Sequence, residues 1–162
     1  MKIRLTKPED LPRLLAIYER ARAFMVQTGN PDQWGSRHWP PEELLREDIA
    51  ASRSFVCEKD GTVVGTFCYL FGDKIDETYH VIDGAWSADE AYGVVHRIAS
   101  DGTKGVGTFC LGWALEQNGY LRIDTHEDNR VMRNLLAKLG FRYCGVIRLP
   151  DGDPRLAYDK KR

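Results

Sequence analysis

The chain has no surplus of either charge. Its 23 lysines and arginines face 24 aspartates and glutamates, for a net charge of −1. That balance gives nothing to hold nucleic acid and no acidic tail, so no nucleic-acid partner is expected. Long apolar runs are also missing. None approaches the length that spans a bilayer, and no membrane partner is expected. Behind Met1-Lys2-Ile3-Arg4-Leu5 come Lys7, Glu9 and Asp10, which leave no apolar stretch for a secretion signal. Paired cysteines are absent as well. Cys57, Cys68, Cys110 and Cys144 are widely spaced and form no CxxC, so the expectation is buried free thiols in a reducing cytosol and a cytoplasmic protein. No internal repeat, low-complexity segment or linker interrupts the chain.

What is present suits one domain over residues 1–162, long enough to bury a core, with an ordinary 43% hydrophobic and 29% charged content. Ile3-Arg4-Leu5 reads as a strand, and Thr6 and Glu9 have capping-box spacing before a helix from about Pro8 to Val26, carrying Leu11, Leu14, Tyr18, Ala21 and Met25. Gly29-Asn30-Pro31 ends it. Asp32 to Pro40 has no period, and Pro41 opens a second helix with Leu44, Leu45 and Ile49. Phe55 to Cys57 and Val63 to Phe71 read as a hairpin about Asp60-Gly61. Tyr79 to Ile82 suggests a short strand before a turn at Asp83-Gly84, and Tyr92 to Ala99 another strand. Gly105 to Gln117 reads as a helix with Val106, Phe109, Cys110 and Trp113 on one face; Leu121 to Thr125 is a strand. Asn129 caps a helix with Met132, Leu135, Leu136 and Leu139 inside, ended by Gly140. Phe141 to Ile147 and Arg155 to Tyr158 close the chain as strands about Asp151-Gly152. The first half looks antiparallel and the second contains crossovers. An α/β fold with one mixed sheet of about six to seven strands and helices on both faces is the natural packing.

The stretch richest in chemical information is Ala99-Ser100-Asp101-Gly102-Thr103-Lys104-Gly105-Val106-Gly107-Thr108, which joins a strand directly to a helix. Glycines let backbone N–H groups converge, and the first N–H groups of a helix lie unpaired at the positive end of its dipole. Such a loop holds a phosphate or pyrophosphate, with Lys104 adding charge. A strand-to-helix turn that needs glycine only for its geometry has the same appearance. No GxxxxGK[ST] string exists, which rejects a Walker A loop. A dinucleotide fingerprint would take Gly105 and Gly107 but meets Cys110 at the third glycine; Asp124 lies where a ribose carboxylate would.

The following helix adds a second signature, Asn129 through Lys138-Leu139-Gly140-Phe141. Together the two segments resemble the GNAT acetyltransferase superfamily, whose loop reads Arg/Gln-x-x-Gly-x-Gly/Ala and whose later signature runs from Asn through a helix to Lys-x-Gly-Phe. The resemblance extends over nearly the whole chain. It implies a mostly antiparallel, splayed sheet, acetyl-CoA as co-substrate and direct acetyl transfer to a primary amine of a small molecule or peptide. It also implies that Gly102, Thr103, Lys104, Gly105, Val106 and Gly107 hold the pyrophosphate, that Ile98, Ala99 and Ser100 pair with the pantetheine arm, and that Asn129 contacts the cofactor. Gly102 stands where the family carries Arg or Gln, which shifts phosphate binding onto N–H groups and Lys104. Leu136 stands where many members carry a tyrosine that protonates the thiolate, which leaves the general acid unassigned.

An amine attacks only when neutral, so a base working near neutral pH is wanted, and histidine is the natural choice. His96, on the strand entering the loop, is the candidate; a histidine bonded within a half-buried strand is the structural alternative. Asp124 and His126 share one strand face. They act through water or, on the favoured reading, organise the turn into Asn129. Nothing in the spacing of His96, Asp124 and His126 asks for a metal. The resemblance places the acceptor near the first two helices, where Gln33, Trp34, Tyr79 and Trp86 either wall an amine pocket or simply cover the sheet ends. Two other functions remain open at this point: a nicotinamide-dinucleotide oxidoreductase, and a non-catalytic acyl-CoA-binding module of the same fold. The oligomeric state is open too, a homodimer included.

Overall fold

The computed structural model describes residues 1–162, apart from the side chain of Ser36. Strand β1 (Lys2–Leu5) leads through a 3-10 turn (Pro8–Asp10) into α1 (Leu11–Gln27). Asp10, not the expected Thr6–Glu9 pair, organises this entry. The Lys7 N–H donates to Asp10 Oδ2 at 2.7 Å, and Arg4 grips the same carboxylate at 2.7 and 3.0 Å. The hydrogen bonds from Arg4 hold the Asp10 carboxyl below the ordinary carboxylate range. Thr6 is turned away and bonds Ser54 Oγ at 2.7 Å.

The described residues form one open mixed sheet of eight strands in the order β1-β2-β3-β5-β6-β8-β7-β4. The further strands are β2 (Ser54–Lys59), β3 (Thr62–Gly72), β4 (Asp83–Gly84), β5 (Tyr92–Ser100), β6 (Tyr120–Thr125), β7 (Arg142–Arg148) and β8 (Pro154–Lys161). The β5–β6 pair is parallel, and every other neighbouring pair is antiparallel. Helices α1 and α2 (Glu42–Ala50) cover one face, where Leu11, Leu14, Ile17, Tyr18 and Leu45 pack on Val56, Val63 and Ala99. Full burial of Leu14 and of Ile17 contributes about 2 kcal/mol each. Helices α3 (Val106–Asn118) and α4 (Arg130–Lys138) cover the other face, over Cys57, Phe67, Val95, Leu121 and Ile123.

Three local expectations are corrected. Tyr79 to Ile82 is not a strand. Asp76 Oδ1 accepts from both the N–H and the hydroxyl of Thr78, at 2.9 and 2.6 Å, and this cap winds Glu77–Tyr79 into a 3-10 turn. Asp83-Gly84 is not a free turn but β4, paired with β7 through Gly84 opposite Gly145. Both glycines have positive φ, and a Cβ on either would collide with the facing backbone, so the contact forms only between glycines. Phe109 is exposed, because α3 seats the stripe Val106, Cys110, Leu111 and Ala114 on the sheet and leaves Phe109 at its edge.

The irregularity that shapes the molecule lies in β5. Thr66 of β3 faces Ala99 while Cys68 faces His96, so β5 carries one extra residue, a bulge at Arg97, whose φ is +53°. The bulge sends both His96 and Arg97 toward the α1/α2 face. Arg97 Nε and Nη2 donate to Asp48 Oδ2 at 3.0 and 2.7 Å, and Arg53 Nε donates to Asp48 Oδ1 at 2.6 Å. The Tyr18 hydroxyl donates to the Arg97 carbonyl at 2.6 Å. On its other edge β5 meets β6 only at Gly93–Leu121 and Val94–Arg122, after which the two strands part.

Asp48 is buried, so removing it strands two guanidiniums without their acceptor. Asp48→Ala is expected to lower the unfolding free energy in urea by about 3 kcal/mol. A loss below about 1 kcal/mol would show that the bulge is held by other means.

Candidate active site

Strand β5 runs straight into the glycine loop. The Asp101 N–H still bonds the Val64 carbonyl at 2.9 Å. The Asp101 carboxylate then folds the turn: Oδ1 accepts from the Thr103 N–H and hydroxyl at 2.9 and 2.6 Å, and Oδ2 accepts from Arg13 Nη2 at 2.9 Å. Burial acts to raise this carboxyl; the Thr103 bonds with the charges of Arg13 and Arg20 outweigh it and bring it below the ordinary range. Gly102 and Gly105 carry φ of +94° and +85°, which re-aim the backbone into α3. A Cβ on Gly65 of β3 would lie 2.5 Å from Val106 Cγ1, so glycine there lets the start of α3 sit against the sheet. The first-turn N–H groups of Val106, Gly107 and Thr108 have no partner within the helix. Arg20 of α1 packs its guanidinium against Gly102, and Lys104 is exposed on the same loop. Gly107 points elsewhere: a Cβ there would come 2.8 Å from Leu135 Cδ2, so its lack of a side chain serves the packing of α3 on α4.

The parting of β5 and β6 opens a cleft of about 460 Å³ whose walls include Trp34, His96, Asp124 and Arg155. His96 Nε2 lies 2.6 Å from Asp76 Oδ2. A carboxylate only accepts, so Nε2 is the donor, and in the neutral ring Nδ1 is left with the lone pair. Burial acts to raise the Asp76 carboxyl, but the hydrogen bond and charge of His96 and the Thr78 bonds prevail and leave it below the ordinary range. Asp124 behaves oppositely. Burial dominates and raises it, against the charges of His96 and Arg155 and the bond from the Tyr79 hydroxyl to Oδ2 at 2.6 Å.

The remaining candidates divide. Gln33 and Trp34 line the cleft, and Trp34 packs edge-on to Tyr18 at 5.8 Å. Asn129 caps α4 through Oδ1, accepting from the Met132 N–H at 3.0 Å, while Nδ2 donates to Gln33 Oε1 at 2.9 Å. Tyr79 is buried with its hydroxyl on Asp124. Trp86 lies outside this cleft, donating to the Tyr79 carbonyl at 2.9 Å and covering Arg122, whose guanidinium stands 4.4 Å from its ring centre. His126 Nδ1 accepts from the Asp128 N–H at 3.0 Å, so it organises the turn before Asn129. Leu136 is fully buried in the α3/α4 core.

The Acetyltransferase (GNAT) family model matches residues 14–141. The chain belongs to the GNAT acetyltransferase family. A GNAT acetyltransferase from Streptococcus agalactiae 2603 is 33% identical with a TM-score of 0.89, over 99% of this chain and 95% of that one. A ribosomal-protein-alanine N-acetyltransferase from Brucella melitensis is 19% identical with a TM-score of 0.65, over 100% of both chains. An agmatine N-acetyltransferase is 12% identical with a TM-score of 0.61, over 99% of both. The last two show the fold alone. No curated protein matches the chain. GNAT membership and a mainly antiparallel sheet overturn the dinucleotide-oxidoreductase reading, which needs a parallel doubly wound sheet.

Sequence reasoning missed several charged groups that meet or neighbour the candidate residues. Asp76, Asp48, Arg97, Arg20 and Arg155 are far in sequence from the residues they serve. Only Asp76 had a local signal, the Asp-x-Thr spacing of a side-chain-capped turn, and that says nothing about His96. No helix is long and apolar enough to cross a membrane.

Because the folded-state value of Asp76 is depressed, its stabilising contribution is complete above the unfolded value of about 3.9 and is lost as pH falls through the depressed value. Asp76→Asn is therefore expected to flatten the acid limb of the stability profile below about pH 4, read by urea unfolding across that range. An unchanged acid limb would mean that the His96–Asp76 contact carries no net charge interaction.

Proposed function

We propose that this protein moves an acetyl group from acetyl-CoA to a primary amine by direct transfer, with residues 1–162 acting as one catalytic domain. One observation carries the proposal: His96, paired with Asp76, stands in the cleft where β5 leaves β6, immediately before the glycine loop. The fold fits acetyl-CoA. Ile98, Ala99 and Ser100 have no ladder partner on the β6 side, and these residues hold the pantetheine arm. The N–H groups of Gly102 to Gly107 with Lys104 hold the pyrophosphate, and Arg20 supplies the cation that Gly102 does not. Bound acetyl-CoA supplies the thioester carbonyl that the amine attacks.

The chain's own part is proton transfer and orientation. His96 accepts the ammonium proton at Nδ1. Asp76 fixes the ring through Nε2 and stabilises the imidazolium. Leu136 offers no proton, so the same Nδ1, once protonated, is the donor for the departing sulfur, and the second proton that the nitrogen sheds as the amide forms passes to solvent. Asn129 acts at one remove, holding Gln33 at the cleft wall. Trp34 and Gln33 bound the acceptor, Tyr79 positions Asp124, and Trp86 buttresses Tyr79. Four buried free cysteines support a reducing, cytoplasmic setting. Leu136 favours one second reading, an acyl-CoA-binding module without turnover. Release of free thiol from acetyl-CoA over a panel of amines separates the two.

His96→Ala is expected to lower turnover by about 10²–10⁴-fold, remove the lower limb of the pH–rate profile and leave thermal stabilisation by acetyl-CoA intact. A folded variant with near-normal turnover would remove His96 from the mechanism. Lys104→Ala should weaken acetyl-CoA binding at low ionic strength and less at high ionic strength. A salt-independent loss would assign Lys104 to packing instead.

A further inference from the structure

Arg155 lines the cleft as a shielded guanidinium whose nearest carboxylate among the described residues only grazes it. Its side chain is only 6% exposed. Nη1 donates at 2.9 Å to the carbonyl of its own neighbour, Pro154, and the nearest carboxylate oxygen, on the half-exposed Asp153, is 3.9 Å away. Among the described residues, Nε and Nη2 have no protein acceptor. Other shielded guanidiniums are matched. Arg97 and Arg53 share Asp48, while Arg122 bonds the Ala88 carbonyl and the Tyr120 hydroxyl and lies 3.9 Å from the Tyr92 ring centre. The other carboxylates near Arg155 are engaged: Asp124 Oδ2 accepts from Tyr79, and Asp151 Oδ2 from Arg37.

A buried guanidinium offers a planar fork of donors and is stabilised by an anion of matching shape. We propose that the acceptor carries a carboxylate, which Arg155 binds, so that the amine acetylated at His96 belongs to a small zwitterion of the free amino acid class. The proposal rests on the transferase reading above. Arg155, His96 and Asp124 line the same cleft, and the charges of the first two act on the third. A polyamine brings a second cation toward Arg155 and is disfavoured. A peptide N-terminus presents a neutral amide where the fork needs an anion. Met25, Trp34, Trp39 and Pro150 give the cleft an apolar wall, so the amino acid's own side chain is apolar or aromatic.

The test is thiol release from acetyl-CoA by the purified full chain, with free L-amino acids compared against their α-carboxamides, linear diamines and short peptides. The wild-type protein should favour the best free acid over its carboxamide by about 10–100-fold in kcat/KM. Arg155→Met should reduce that preference to about threefold or less through KM for the acid, with kcat and acetyl-CoA-dependent thermal stabilisation largely kept. Arg155→Lys should restore part of it. Carboxamides, diamines or peptides turned over by the wild type as well as the acids would overturn the carboxylate assignment while leaving the transferase standing, even if Arg155→Met did not fold. A preference for acids that survives in Arg155→Met would overturn the role of Arg155. No thiol release with any amine would overturn the transferase reading and this proposal with it.

Discussion

The site depends on one buried carboxylate. Asp48, on α2, gathers Arg97 from the sheet and Arg53 from the following segment, while Tyr18 on α1 binds the Arg97 carbonyl. These contacts hold one extra residue in β5. Without the bulge the strand would keep strict alternation, and His96 and Arg97 would face opposite sides of the sheet. With it, both side chains turn to the α1/α2 face, and β5 stops pairing with β6 after Val94. The same irregularity that aims the candidate base thus accompanies the opening beside it. Two helices clamp it, so a loosening of α1 or α2 would be felt in the cleft before it was felt in the α3/α4 core.

Charge in the cleft is arranged in unlike pairs. Asp76 is drawn below its ordinary range by His96 and Thr78, whereas Asp124, only two strand positions from Arg122, is raised by burial. One carboxylate is therefore kept charged against the imidazole, and the other is held by a phenol. Environments that separate the titration of like groups in this way are a common means of giving them different tasks. The loop beyond β5 is electropositive for separate reasons. Arg13 cancels the Asp101 carboxylate that shapes the turn, Arg20 lies against Gly102 and Lys104 is exposed on the same turn.

Much of the architecture was legible along the chain because it is encoded by near neighbours. Gly105 before an apolar helix, Asn129 three residues before the N–H it caps, and Gly140 after Leu139 are short-range signals with a single geometric meaning. The errors are equally physical. Tyr79 to Ile82 has strand-like residues, but the Asp76 cap wins locally. Asp83-Gly84 has turn chemistry, yet its glycine is needed for a close approach to Gly145. Phe109 fits an apolar stripe by period, but a helix presents only the sector that the sheet covers.

The sequence by itself determined the order of the elements, the glycine-rich turn into α3, the cap of α4, the position of His96 ahead of that turn and, through two motifs, the family. Local hydrogen bonding and side-chain period suffice for those features. Only the tertiary structure decided which groups meet. Asp76 joins His96 across 20 positions, Asp48 joins Arg97 across 49, and Tyr79 joins Asp124 across 45. It also left Arg155 shielded in the cleft with only Asp153 at 3.9 Å for a carboxylate, and it separated Trp86 from the cleft that Trp34 lines. Such pairings follow from how the sheet splays and how its helices dock, and a buried charge finds its partner through space rather than along the chain.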